Sequence, residues 1–146
     1  MAVARDYPYA NHCFTVDLGD GAPVTGIVEV ILPDLCIALN SARGGGDAQS
    51  HVPQGPSKPV FTNCIIKRAY QGRLDFYKWW EAAANGGHTH RNVTINLLSE
   101  DLAQAVATWR LIRAIPARYS FSPLSSRDGG VFVESLEIAF ESVAME

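Results

Sequence analysis

The sequence predicts a mainly β domain, a sandwich or barrel with one flanking α-helix. Most of the chain alternates apolar and polar residues, Gly- and Pro-rich turn signals separate the alternating runs, and only the stretch 72–87 carries a convincing helical pattern. Within it Phe76, Trp79, Trp80 and Ala83 fall at i, i+3, i+4 and i+7, so they share one face that must pack against the rest of the domain. Arg73, Asp75, Lys78 and Glu81 lie largely off that face, with Asp75–Lys78 and Lys78–Glu81 spaced for weak surface ion pairs. Asn85, Gly86 and Gly87 tolerate the positive φ that ends a helix. A single amphipathic helix encloses no core, so its aromatic face needs a sheet beneath it.

In chain order, 1–11 is an irregular arm interrupted by Pro8. Residues 12–18 alternate as a strand, with His12, Phe14, Val16 and Leu18 on one side. After the turn Gly19-Asp20-Gly21, 24–32 forms a second strand with Val28, Val30 and Leu32 opposed to Ile27, Glu29 and Ile31, and 35–39 continues it beyond Pro33-Asp34. From 40 to 59 the apolar pattern collapses into a Gly-, Pro- and Ser-rich run, long for a loop inside a compact domain and therefore a functional candidate. Alternation returns at 61–68 and leads into the helix.

Beyond the helix, 92–98 sets Val93, Ile95 and Leu97 against Thr94 and Asn96. The stretch 105–115 is a long strand with Trp109, Leu111 and Ile115 on one side and Thr108, Arg110 and Ile112 on the other, ended by Pro116; 117–121 is a further short strand. A polar loop at 122–130 precedes the last long strand, 131–143, with Phe132, Leu136, Ile138 and Phe140 toward the core and Ser135, Glu137, Ala139 and Glu141 on the other face. This makes seven or eight strands in a single domain over 1–146.

Composition narrows the function. The chain is 47% hydrophobic and 18% charged, more apolar than an ordinary soluble monomer, which hints at assembly. A net charge of −3 without a basic cluster longer than Lys67-Arg68 argues against tight gripping of nucleic acid. Cys13, Cys36 and Cys64 lack CxxC spacing and read as small buried hydrophobes in a reducing compartment. The N-terminal residues lack the apolar stretch of a signal peptide, and no run is long enough to span a bilayer, so the expectation is a chain made in the cytoplasm without a membrane segment.

Signals for chemistry are weak. His88-Thr89-His90 sets two imidazoles on one side of a strand, the basis of an alternative reading as a small cupin-like β-barrel binding a metal through His88 and His90, but a third ligand is missing. Gly44-Gly45-Gly46-Asp47 lacks the ending of a phosphate-binding loop. Glu134, Glu137 and Glu141 do not form a matched acid/base pair, and no nucleophile stands beside a base, so neither an enzyme nor a cofactor is expected. Thr94, Asn96, Thr108, Arg110, Ser135, Glu137 and Glu141 form a face of small, mostly uncharged or acidic groups across three strands, suited to water or to a passage that must not hold what moves through it. Long strands leave edges that invite pairing with another copy.

Five segments carry a resemblance: YPYANHCFTVDLG, IIKRAYQGRLDFYKWWEAA, RNVTINLL, ATWRLIRAIPARYSF and VFVESLEIAFESV. In order and spacing they resemble the tail tube proteins of contractile phage tails and phage-like contractile injection systems across nearly the whole chain. The chain departs from the family pattern at Ala42-Arg43-Gly44-Gly45-Gly46-Asp47, at Arg68-Ala69 and at Ser99-Glu100-Asp101-Leu102, where a Glu-Asp-Gly turn is common. The resemblance implies a non-enzymatic subunit that forms hexameric rings. Their sheets would join into an inner barrel, and the rings would stack into a tube within a sheath. It further implies a baseplate and tube-terminating partners, DNA or protein effector cargo, and assembly into a phage tail or phage-tail-like particle. The run 40–59 then stands where the family carries a ring-stacking loop, with Arg43, Gly44, Gly45, Gly46 and Asp47 at its centre, and the polar face would line the lumen. The sequence does not distinguish a phage, a headless tail and an effector-injecting system, nor a main tube protein and a tube-end paralogue.

Overall fold

The computed structural model describes residues 3–39 and 56–146. Among them are nine strands and one helix: β1 (Phe14–Asp17), β2 (Ile27–Ile31), β3 (Leu35–Leu39), β4 (Pro56–Phe61), β5 (Cys64–Ala69), α1 (Asp75–Ala84), β6 (Arg91–Leu98), β7 (Ala105–Phe121), β8 (Val133–Ala139) and β9 (Ser142–Met145). All described pairings are antiparallel. Seven strands form one sheet in the order β1-β6-β7-β8-β5-β2, with β9 also on β7, while β3 and β4 pair only with each other.

β7 is the strand on which this sheet folds over. Its 17 residues serve two layers. Residues 105–114 pair with β6 and 109–112 with β9, whereas 115–121 pair with β8. At the junction Arg113 adopts the left-handed region, φ 53°, and its N–H donates to Asn92 Oδ1 at 3.1 Å in place of a regular ladder bond. The irregularity shifts the alternation, so Leu111 and Ala114, three residues apart, are both buried while Ile115 is exposed. The expected stop at Pro116 does not occur. The strand continues because Pro116 sits beside a second register shift, where a missing N–H is tolerated.

Two other boundaries differ from the alternation for the same reason. A register shift between Ile27 and Glu29 brings Ile27, Val30 and Leu32 against the core and leaves Val28 exposed, so Ile27 joins the side it was expected to oppose. The last long strand is interrupted after Ala139 and resumes as β9 farther along β7. Residues 56–59, expected to close the long loop, belong to β4. The remainder of that loop, 40–55, lies outside the described residues, as do Arg43, Gly44, Gly45, Gly46 and Asp47.

One core joins the two layers and the helix. Val16, Val93, Ile95 and Leu111 come from one layer, Cys64, Ile66, Leu136 and Ile138 from the other, and Phe76 and Trp79 from α1. Trp79 is 2% exposed and its indole N–H donates to Thr89 O at 2.8 Å, while Trp80 and Ala83 are only half-buried. The helix ends as expected, with Gly86 at φ 80° and its N–H bonded to Ala83 O at 3.1 Å. Burial pushes the Cys64 thiol up to about 12, consistent with an inert core residue. Of the other two cysteines expected to be buried, Cys13 is half-buried and Cys36 is exposed on β3.

The helix is fastened to the sheet by a buried charge cluster. Arg68 and Glu134 are opposed in the β5–β8 register and both are 0% exposed, on the core side where alternation calls for apolar residues. Arg68 Nε donates to Glu134 Oε1 at 2.7 Å, and its two terminal nitrogens reach Asp75 at 2.6 and 3.0 Å. The Tyr119 hydroxyl donates to the second Glu134 oxygen, and the guanidinium carbon lies 3.7 Å from the centre of the Phe76 ring. Asp75 therefore serves Arg68, not the expected pair with Lys78. Burial alone would lower the Arg68 pKa, but its bonds to Asp75 and Glu134 outweigh that and raise it. Arg68 holds Asp75 below the usual carboxylate range, and burial together with the Glu134 bond raises Tyr119. Because the folded pKa of Asp75 is depressed, its contribution is complete above the ordinary aspartate value and is lost as pH falls below it.

Two outcomes follow from this packing. Arg68→Met strands a buried carboxylate and should cost about 3–5 kcal/mol in urea unfolding, whereas Arg68→Met combined with Glu134→Leu should cost less than the two single changes added together. Trp79→Ala should cost about 3–5 kcal/mol and Trp80→Ala measurably less. Equal losses would mean that the helix face is rotated from the one described.

Candidate functional site

Within the described residues the candidate site is the outer surface of the sheet and what projects from it. Thr94 and Arg110 are opposed across β6 and β7, as are Asn96 and Thr108, and β1 adds Thr15 and Asp17 to the same face. The side chains there bond to one another: Thr108 Oγ1 donates to Asn96 Oδ1 at 2.8 Å, Asn96 Nδ2 to Thr15 Oγ1 at 3.4 Å, and Arg110 to Glu146 at 2.6 Å. This face is polar and largely self-satisfied.

Ser135 and Glu137 also stand on the non-core side of the curled sheet, but on the other layer. Ser135 is opposed to Lys67 and Ser120, Glu137 to Ile65 and Arg118, and Lys67 pairs with Glu29 at 3.5 Å. The two layers share one core, so their outer faces look away from each other. The single polar face expected from sequence is therefore two faces. Glu141 belongs to neither centre. It lies between β8 and β9 and accepts from Arg113 Nε at 3.0 Å.

The second layer has an overhang. β2 continues through residues 32–34 into β3, and β4 through 62–63 into β5, so β3 and β4 extend the β2–β5 pair as a two-stranded ribbon beyond the sandwich. Leu35, Ile37 and Val60 on this ribbon are exposed. A two-stranded hairpin with uncovered apolar side chains is marginal on its own. Near the helix, successive ring contacts run from Trp80 through Tyr77, Tyr119 and Phe121 to Phe132 and Tyr70, and Tyr70, Tyr77 and Phe121 in that series are exposed. Neither surface was marked in the sequence, because residues of the ribbon and the aromatic series alternate like core strands.

His88 and His90 border an open depression shared with Asp20, Asp75, Lys78 and Arg91. Among the described residues no three His, Cys, Asp or Glu side chains stand close enough together to hold a metal ion. Nor is any described helix long and apolar enough to cross a membrane.

Over residues 10–144 the chain matches the family of T4-like virus tail tube protein gp19. No curated protein matches it in sequence. Its fold is similar to a chain in the cryo-EM structure of the anti-feeding prophage baseplate, with TM-score 0.83 and 19% identity, covering 97% of each chain. It is also similar to a chain in the sheath–tube complex of the extracellular contractile injection system PVC in the extended state, with TM-score 0.80, 18% identity, and 97% and 93% of the two chains covered. Hcp1 from Flavobacterium johnsoniae shares the fold at TM-score 0.64 and 11% identity, with 91% and 94% covered. At these identities the structures establish the shared fold, and the match over residues 10–144 establishes the lineage: the chain belongs to the T4-like virus tail tube protein gp19 family, whose members are structural tube proteins and not enzymes.

Proposed function

We propose that this chain is the repeating subunit of the inner tube of a contractile tail or contractile injection system, forming hexameric rings that stack into a hollow conduit for DNA or effector cargo inside a sheath. The observation that carries the reading is the overhanging ribbon β3–β4. Among the described strands it extends the second layer alone, which gives that layer strands able to reach along a tube axis into the next ring. Its Leu35, Ile37 and Val60, exposed among the described residues, gain burial when another copy covers them. The segment 40–55, joined to both ribbon strands, is then the ring-stacking segment, with Arg43, Gly44, Gly45, Gly46 and Asp47 within it.

This assignment chooses between the two outer faces. If the second layer forms the continuous wall, Ser135 and Glu137, with Glu29, Lys67 and Arg118, line the conduit. Charges of both signs there give an oligonucleotide or a folded protein no one-sided field to adhere to. Thr94, Asn96 and Arg110 then face outward, with Thr108 buried beside them at 5% exposure. Heterologous contacts of one patch with a different patch close into rings when the rotation permits. The occurrence of this fold in baseplate, sheath–tube and sheath/tube-terminator complexes supports corresponding partners for this chain, and assembly into a phage-tail-like particle.

In a background with Cys13→Ser and Cys36→Ser, which removes the half-buried and the exposed thiol, assembled particles carrying Ser135→Cys should resist a maleimide on a polymer too bulky for the bore, while Thr94→Cys reacts; disassembled subunits of both should react. The opposite pattern would exchange the two faces. Deleting 44–54 should leave a folded subunit able to form rings that no longer polymerise, and electron micrographs showing tubes of wild-type length would remove the stacking role.

A further inference from the structure

We propose that Leu102, at the tip of the β6–β7 turn, is a rigid apolar contact residue that binds an adjacent copy of this chain; the inference rests on the tube-subunit reading. Among the described residues only Leu102, at φ 61°, and Arg113, at φ 53°, are non-glycine residues in the left-handed region, where the Cβ crowds the backbone. Arg113 has an internal reason, since it re-phases β7 and is held by Asn92 and Glu141. At Leu102 the conformation closes the β6–β7 turn, through its N–H to Ser99 O at 2.8 Å and the Ser99 N–H to Gln104 O at 3.0 Å, but glycine would close it equally and without strain. The turn therefore does not account for a leucine there, and its side chain is 63% exposed.

The turn is also prevented from relaxing. The Ser99 hydroxyl donates to Asp101, whose carboxylate accepts the Ala103 N–H at 3.1 Å; the Ser99 bond holds Asp101 below its ordinary pKa. Arg5 grips Glu100 through two N–H groups at 2.6 and 3.0 Å and lies against the rings of Tyr7 and Tyr9, 4.1 and 3.5 Å from their centres. That grip holds Glu100 down to about 2. An exposed leucine in a disfavoured backbone conformation, fixed by side chains on both flanks, is unfavourable for the isolated subunit in two ways. Burial against a partner would offset both.

The partner follows from position. The chain leaves β1 and returns antiparallel to it before entering β2, with the Val24 N–H bonded to Val16 O at 2.8 Å and Asp17 bridged to Pro23. The start of β1, and with it the end of β6 through the pairing of Phe14 with Leu97, therefore lies toward the end of β2 from which the ribbon projects, and so does the turn that follows β6. A second copy reached by the ribbon meets Leu102 as well.

The test is self-assembly of the purified chain without other components, followed by sedimentation and electron microscopy beside thermal unfolding of the dilute subunit. Leu102→Gly and Leu102→Asn should raise the unfolding midpoint yet raise the concentration needed for assembly by at least about tenfold. Leu102→Met, which retains the apolar bulk, should stay within about twofold of the wild type. If the wild type assembles and the Gly and Asn variants assemble at the same concentration, the contact role is overturned and the tube reading stands. No rise in the unfolding midpoint overturns the strain on which the proposal rests. A wild-type chain that remains monomeric overturns the tube reading and this proposal with it.

Discussion

The buried guanidinium of Arg68 is the constraint on which the arrangement of helix and sheet depends. A charge with no exposure to water is tolerated only where every donor meets an acceptor, and Arg68 meets Glu134 from the adjacent strand and Asp75 from the first turn of the helix. The apolar face of Phe76 and Trp79 would accept several rotations of the helix over a greasy sheet. The Arg68–Asp75 bonds select one of them, and Tyr119 ties the Glu134 carboxylate to the far half of β7. Position of the helix, closure of the second layer and the course of β7 are thereby coupled. The same closure sets which side chains of β7 and β8 remain on the outside.

How far this could be read from sequence depended on whether the deciding interaction was local. The helix and the face that carries Phe76 and Trp79 were legible, because their spacing is a property of one element, although the same spacing put the half-buried Trp80 and Ala83 on that face without distinguishing them. So was β6, where Val93 and Ile95 alternate with Thr94 and Asn96 without interruption. Arg68 and Glu134 were not, since a charged residue within an alternating strand looks solvated until its partner, 66 positions away in the chain, is placed opposite it. The irregularities at Arg113 and between Ile27 and Glu29 were hidden because neither carries a turn signal, and each reverses the inward set from there onward. Pro116 misled for a related reason: a proline ends a regular ladder, but it is at home beside a register shift.

The division of the outer polar residues between two faces has the same origin. Thr94 and Ser135 share a parity within their strands, and nothing in either strand records that β7 turns the sheet over between them. What the sequence did convey was the balance of the whole: more apolar residues than one core requires, visible in the structure as exposed Leu35, Ile37 and Val60 on the ribbon and as the ring contacts from Trp80 to Tyr70. Surfaces of this kind are unfavourable on a lone subunit and stabilising in a repeating assembly.

A helical cryo-EM reconstruction of particles assembled from the purified chain addresses the central claim most directly. The expected result is a hollow tube of stacked hexameric rings, the second layer continuous around the bore with Ser135 and Glu137 facing it, and the β3–β4 ribbon of each copy resting on the next ring. A reconstruction with the Thr94–Arg110 face inward, or with the ribbon extending free of every neighbour, would contradict it.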